Sequence, residues 1–302
     1  MDNLDWTLYR SFLAVAETGS LSAAARSLAL SQPTLGRHIV ELETALSSKL
    51  FTRQARGLSP TEAALALIPA AQTMRQAAAQ LSLLAAGQEE SLTGTVRLTA
   101  SRVVSHYLLP PMLARLREVE PGIEIELVPT DSTENLLFRE ADIALRMYRP
   151  TQNDVVTRHL TDLPIALYGA KDYLDRHGRP QRLEDLQNAQ LIGLDRSDLM
   201  LRMLAGLGQT RRREDFPIRC DDQVVYWNLV RAGCGLGATQ TVIGDADPTV
   251  ERVAPFLNLP ALPVWLTAPE ALRQNPRIRR VMDHLAEGFG ALKPTQHPSP
   301  AP

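Results

Sequence analysis

The sequence predicts a multidomain chain, with an all-α N-terminal part closed by one long helix and an α/β part after it. Three observations predict this. The length of 302 residues exceeds what one hydrophobic core ordinarily organises and suggests two or three domains. The first sixty residues read as short helices, and a seven-residue apolar repeat continues from them to about Gln88. From Thr95 onward, short strand-like runs alternate with helical ones, the pattern of α/β architecture with mostly parallel sheets.

Composition sets the class. A hydrophobic fraction of 44% and a charged fraction of 22% are those of an ordinary globular protein. No apolar run approaches the roughly 18 residues that span a bilayer, so no membrane partner is expected. MDNLDWTLYR lacks the basic start and apolar stretch of a signal peptide, and the expected location is the cytoplasm. The two cysteines, Cys220 and Cys234, give no disulfide framework. The net charge of −2 excludes a chain that coats nucleic acid by charge alone, so any such contact must come from a local, shaped surface.

The elements follow in order. Asp5 can cap a first helix, with Leu8, Phe12 and Val15 on one face and Gly19 at its end. Ser20 can cap a second, SLSAAARSLAL, whose alanines allow close packing. Ser31 can cap a third, SQPTLGRHIVELETAL, in which Leu35, Ile39, Leu42 and Leu46 form one buried stripe. Its opposite face carries Gln32, Thr34, Arg37, His38 and Glu41, and Pro33 falls in the first turn, where a missing N–H costs little. KLFTRQARGLSPTEAA has apolar anchors, Phe51 and Leu58, around a polar tip, as in a short hairpin. Ser59, Pro60 and Glu62 read as N-cap, N1 and N3 of a long helix. In it Leu67, Met74 and Leu81 repeat at seven, with Ala70, Ala77 and Leu84 at the second seam position, as in a helix that pairs two chains or in an amphipathic helix that lies on its own domain. Pro69 predicts a bend. GQEESLTGT reads as a linker. Strands are expected at 95–101, 123–131, 141–147, 164–170, 190–195, 217–221, 236–240 and 262–269. Helices are expected at 105–119, 222–233 and 276–290. The tail from 293 to 302 is Pro-rich and reads as disordered.

The chemistry concentrates between Ser31 and Pro60. Arg37, Lys49, Arg53 and Arg56 outnumber Glu41 and Glu43 there, giving a locally cationic stretch in a weakly anionic chain. A helix laid in the DNA major groove presents its N-terminal residues to base edges. Gln32 suits an adenine edge, and Arg37 suits guanine or phosphate. Thr34 suits a thymine methyl or a phosphate. Arg53, Gln54 and Arg56 at the hairpin tip suit the backbone or the neighbouring minor groove. Ser31, Pro33 and His38 complete the expected contact set. For one such helix taken alone a solvated face is the favoured reading, and DNA contact is favoured within the whole pattern that follows.

The run FLAVAETGSLSAAARSLALSQPTLGRHIVELETALSSKLFTRQARGLSPTEAA, from Phe12 to Ala63 and Ala64, resembles the N-terminal domain of LysR-type transcription regulators over its whole length. The ordered pieces are the Ala-rich helix, SQPTLGRHI as recognition helix, Leu42–Glu43, Leu50–Phe51 and GLSPTEA. Each piece is common, but the order and spacing are specific. Gly36 stands where the family usually has Ser, which puts base preference in doubt, and Ala64 where it often has Gly. The resemblance implies a winged helix-turn-helix in residues 1–60 and a dimerising linker helix in 61–90. Beyond these it implies a periplasmic-binding-protein-like effector domain of two α/β lobes. Its crossings would fall near Thr161–Pro164 and Leu262–Val264, with lobe I at 95–163 plus 264–292 and lobe II at 164–263. LVRAGCGLGATQ (229–240) is similar to the family's glycine-bearing helix-to-strand turn.

Ligands of such folds sit in the cleft against strand ends. Ser101 with the adjacent Arg102, then Thr130, Asp131 and Arg146, end the first strands. Asp195 with Arg196, Asp221–Gln223 with Asp222 at their centre, and Thr239 with Gln240 end the later ones. These are the expected effector-binding residues, though strand-end polar residues also serve simply as caps. Arg102 or Arg146 near Ser101 would favour a carboxylate effector. No other cofactor is expected. The expected partners are double-stranded DNA bearing an inverted repeat, the effector, a second copy of the chain and RNA polymerase. The resemblance implies a tetramer built from dimers.

Enzyme motifs are missing: HExxH, GxSxG, a P-loop and CxxC do not occur, so no catalysis is expected. The two cysteines invite a redox reading, but the inserted loop of the family's peroxide sensors is not found. A solute-binding module whose N-terminal helices contact only protein is the second reading, and salt-sensitive DNA affinity separates the two.

Overall fold

The computed structural model describes residues 5–54, 57–87, 91–131, 141–150 and 155–292. The chain forms two compact units, residues 1–85 and 86–302, described in turn.

In the first unit, α1 (Trp6–Thr18), α2 (Leu21–Ser27) and α3 (Gln32–Ala45) start where their caps predict. Asp5 accepts from the Thr7 N–H, Ser20 from Ala23 and Ser31 from Thr34. Gly19 ends α1 at φ 63°, and its carbonyl accepts the Leu58 N–H at 2.8 Å. The core brings together Phe12, Val15, Ala24, Leu35, Leu42 and Leu50, all fully buried. The small Ala24 and Ala25 let α2 approach closely. Strands β1 (Phe51–Gln54) and β2 (Gly57–Pro60) pair antiparallel. A Cβ on Gly57 (φ 128°) would lie 2.5 Å from the Gly19 carbonyl oxygen, so glycine is what lets the hairpin seat against the α1–α2 turn.

Helix α4 (Glu62–Gly87) begins later than the sequence suggests. Ser59 and Pro60 pair with Thr52 and Phe51 in the hairpin, so Ser59 cannot act as the cap. Thr61 takes that place, accepting the Ala64 N–H at 3.2 Å. The helix runs through Pro69 as one element, with Ala64 and Ala71 in the core. Ala70, Met74, Ala77 and Leu81 of the apolar repeat are exposed in the single chain. The side chain of Leu84 and the tail 293–302 lie outside the described residues.

The second unit holds two sheets. In the first, β3 (Gly94–Ala100), β4 (Ile123–Pro129), β5 (Ile143–Arg146), β6 (Val155–Leu163) and β10 (Leu262–Pro269) are ordered β4-β3-β5-β10-β6. β3, β4 and β5 are parallel, and β10 is antiparallel to both neighbours. β5 is buried at every position, as parallel strands covered on both faces are. Helices α5 (Arg102–Tyr107), α6 (Leu109–Val119) and α11 (Pro276–Ala291) belong with this sheet, and His284 Nε2 meets the Met112 carbonyl at 2.8 Å. In the second sheet β7 (Ile165–Ala170) lies between β8 (Gly237–Gln240) and β9 (Val250–Val253). Helices α7 (Lys171–His177), α8 (Leu199–Gly206), α9 (Gln223–Arg231) and α10 (Thr241–Gly244) complete that half. The chain passes between the sheets at Pro164, and again between β9 and β10, where Leu262 pairs with Leu163. This is a two-lobed α/β unit.

Several expectations change. The second sheet is antiparallel along its named strands, because β8 and β9 both run against the single outgoing strand β7. The stretches at 190–195 and 217–221 contribute one-residue bridges, Leu191 to Leu236 and Gly193 to Arg219, in place of strands. The helix expected at 105–119 is two helices that meet at Leu108. β6 escaped detection because it is an edge strand whose Arg158, His159 and Asp162 face solvent, and β9 because it is four residues long.

Candidate nucleic-acid interface and ligand cavity

The third helix of the first unit is held from below by Leu35, Ile39 and Leu42. This leaves Ser31, Gln32, Pro33 and Arg37 exposed, with Thr34 and His38 half-buried. Polar contacts set the first turn. The Ser31 and Thr34 hydroxyls lie 2.7 Å apart, and Ser22 Oγ donates to Gln32 Oε1 at 2.9 Å, which orients that amide. His38 Nδ1 sits 2.8 Å from the buried Ser11 Oγ, drawing the ring toward α1. In the hairpin, Arg53 opposite Leu58 and Gln54 opposite Gly57 are exposed. Arg56 lies outside the described residues.

Glu43 fixes the hairpin relative to α3. Its carboxylate accepts from the N–H groups of Leu50 (2.8 Å) and Phe51 (3.4 Å) and from Lys49 Nζ (2.6 Å). Burial is the largest single influence and would raise its pKa. The Lys49 and backbone hydrogen bonds together outweigh it and hold the carboxyl below the ordinary glutamate value. The sequence showed Glu43 only as part of a Leu-Glu pair, and its role requires the fold.

In the second unit a cavity of about 400 Å³ opens between the ends of the first-sheet strands and the second lobe. The register explains its polar wall. Ala100, Pro129 and Leu145 are level across β3, β4 and β5, so Ser101, Thr130 and Arg146 come level beside them. The Ser101 hydroxyl is buried with no hydrogen-bond partner. Arg146, 6% exposed, donates to the Leu145 carbonyl at 3.1 Å and to Thr99 Oγ1 at 3.3 Å. Asp131 lines the same cavity and accepts the Arg102 N–H at 3.1 Å. From the second lobe come Thr239, which donates to Gln240 Oε1 at 3.1 Å, and Gln223. Tyr226 is buried, its phenol accepts the Ala238 N–H at 3.0 Å, and burial pushes its pKa up to about 12, so it is neutral at physiological pH. A Cβ on Gly237 would lie 2.7 Å from that phenol oxygen, so glycine at 237 is what lets the tyrosine reach the strand.

Of the expected effector residues, Ser101, Thr130, Asp131, Arg146 and Thr239, with Gln223 and Gln240, therefore share one cavity. Arg102 and Asp222 do not line it. They form an ion pair with each other across the lobes, beside a neighbouring cavity bounded by His106 and Val225. Asp222 also caps α9, accepting from Val224 and Val225 at 3.0 Å. The Val225 N–H and then the Arg102 contact hold its carboxyl below the ordinary value against the opposing effect of burial. Asp195 is exposed and reaches Arg219 at 3.5 Å, away from both cavities. Cys220 and Cys234 are unpaired and half-buried. Sequence reasoning missed the apolar wall, above all α8. Its apolar positions 199, 200, 203, 204 and 207 form one stripe, and that spacing was the available signal. Among the described residues no acidic, His or Cys group could hold a metal, and no helix is long and apolar enough to cross a membrane.

A helix-turn-helix unit with an exposed polar first turn, joined to a two-lobed unit with a ligand-sized cavity, defines a ligand-responsive DNA-binding protein. Comparison with known proteins gives the family. Residues 6–65 match the bacterial regulatory helix-turn-helix protein family of LysR type, and residues 89–290 match the LysR substrate binding domain. The chain is 29% identical over 249 residues to the regulator CrgA of Neisseria meningitidis, covering 82% of this chain and 83% of that one. It is 30% identical over 289 residues to the Mau operon transcriptional activator of Paracoccus denitrificans, covering 95% and 97%. The solved structure of CrgA superposes with a TM-score of 0.60 at 25% identity, over 95% of this chain and all of that one. The chain belongs to the LysR family of transcriptional regulators, with a helix-turn-helix DNA-binding domain and an effector-binding substrate domain.

Proposed function

We propose that this regulator reads an inverted repeat as a homodimer or a pair of dimers, with α3 in the major groove, and that a small organic acid bound between its lobes controls it. The exposed first turn of α3 carries the reading. Gln32 and Arg37 face outward from a helix anchored by three buried apolar residues, the arrangement that base-edge recognition needs. Ser31, Pro33 and Thr34 stand beside them for phosphate and methyl contacts, and Arg53 and Gln54 are exposed on the hairpin for backbone contacts, which Arg56 is proposed to share. His38 joins this set through the edge of its ring that Ser11 does not hold. Pairing through α4 would bury Met74 and Leu81 and place two α3 helices on one duplex. Ser101 and Arg146 suit an effector carboxylate, which guanidinium and hydroxyl groups bind well. On this reading the protein works in the cytoplasm, contacts RNA polymerase at its promoters and performs no catalysis.

The test is a titration of the full-length protein against the duplex upstream of its own gene, with random DNA as competitor, at two salt concentrations. Specific binding that weakens with salt is expected. Arg37→Ala should weaken it by about 1–3 kcal/mol if Arg37 reads a base edge. Unchanged affinity removes Arg37 from the interface, and absence of specific binding with and without added acids overturns the reading.

A further inference from the structure

The cavity between the lobes is unlike a site for a compact polar acid. Eleven leucines line it, together with Met147, Met200 and Met203. Its polar groups come mainly from the strand ends of the first sheet, and its apolar groups from α8, residues 191–194 and residues 257–262. Leu199 is 50% exposed, and Met200, Met203 and Leu207 on the same stripe are half-buried. They present apolar surface to the open space instead of closing it. Water gains little there, because leucine and methionine walls offer no hydrogen bonds, and such cavities take up apolar guests. Methionines add an adaptable wall that fits chains of varied shape.

Two polar groups beside this apolar volume have hydrogen-bonding capacity left. Ser101 Oγ is buried with no partner. The Tyr226 phenol accepts from Ala238, and among the described residues nothing accepts its own proton. Buried polar groups are ordinarily hydrogen-bonded, so these two mark where a guest's acceptor atoms belong.

We infer that the effector is an amphiphile, a monocarboxylate carrying an apolar body of medium length. Its head meets Ser101 and Tyr226 and its body lies along α8. This rests on the proposed effector site and narrows its ligand from small acids in general to amphiphilic monocarboxylates. Thioesters and lactones share the apolar body and lack the free carboxylate.

The experiment is isothermal titration of the full-length protein with butanoate, hexanoate, octanoate, decanoate and dodecanoate, each below its critical micelle concentration. Decanol, a decanoyl lactone and succinate form separate arms. Affinity should tighten by about fourfold per added methylene, the factor that burial of one CH₂ supplies, until the chain outgrows the cavity. Decanol and the lactone should bind at least about tenfold more weakly than decanoate, and equal binding would overturn the carboxylate head. Leu199→Asp, at a position already half exposed and so compatible with folding, should flatten the series at its long-chain end, and Met203→Gln should do the same. Tight binding of succinate with no dependence on chain length overturns the amphiphile and leaves the effector site standing. Failure of every acid to bind overturns both.

Discussion

At the scale of single residues, Glu43 has the clearest consequences. Glu43→Ala leaves the buried Leu50 N–H without an acceptor and should destabilise the helix-turn-helix unit by about 1–3 kcal/mol in thermal or urea unfolding. Because its folded pKa is lowered, its contribution is complete above the ordinary glutamate pKa and is lost as pH falls through the lowered value. The stability gap between wild type and Glu43→Gln should therefore close on acidification, and a gap constant with pH would remove the charge from the account. Gly36 gives the opposite sign. A Cβ there would meet nothing within 4 Å, so Gly36→Ala should raise the stability of the unit by about 1 kcal/mol, read from its thermal unfolding. Residue chemistry was legible where it is local: the caps at Asp5, Ser20 and Ser31 follow from their own side chains and the next turn. The cap at Thr61 was not, because the partners of Ser59 lie across a hairpin. The separation of Asp195 from the cavity was equally hidden, since strand-end position says nothing of which loop folds over it.

At the scale of elements, the sequence is most informative where one period runs unbroken. The helices of the first unit keep theirs, and their order and lengths follow from it. The two-lobed half is harder. β6 hides its strand character because one side faces solvent, and short β9 gives too few residues for a period to register. α8 was passed over because its apolar stripe faces a cavity and not a core, and the sequence pattern of the two is the same. The exposed stripe on α4 makes an element-level prediction. Leu81 is 70% exposed and Met74 39%, so Leu81→Glu should place a charge in the proposed pairing seam and shift the protein toward monomer in analytical ultracentrifugation. An unchanged mass would move the dimer contact off this face.

At the scale of the whole effector-binding unit, the lobes meet through the ion pair of Arg102 and Asp222 as well as through the two chain crossings. Arg102 is about half exposed, so the pair is solvent-screened and Arg102→Ala should lower the melting stability by less than about 1 kcal/mol. A larger loss would mean that the pair organises the cleft and does not merely bridge its rim.

The pairing of Leu163 with Leu262 has a consequence beyond mechanics. Everything from Pro164 to Ala261 leaves and returns within one hydrogen-bonded rung, so this stretch is a cassette with adjoining ends. Exchanging it for a relative's cassette requires only that this one rung be matched. A chimera carrying another regulator's cassette should keep its operator and answer to a different chemical signal.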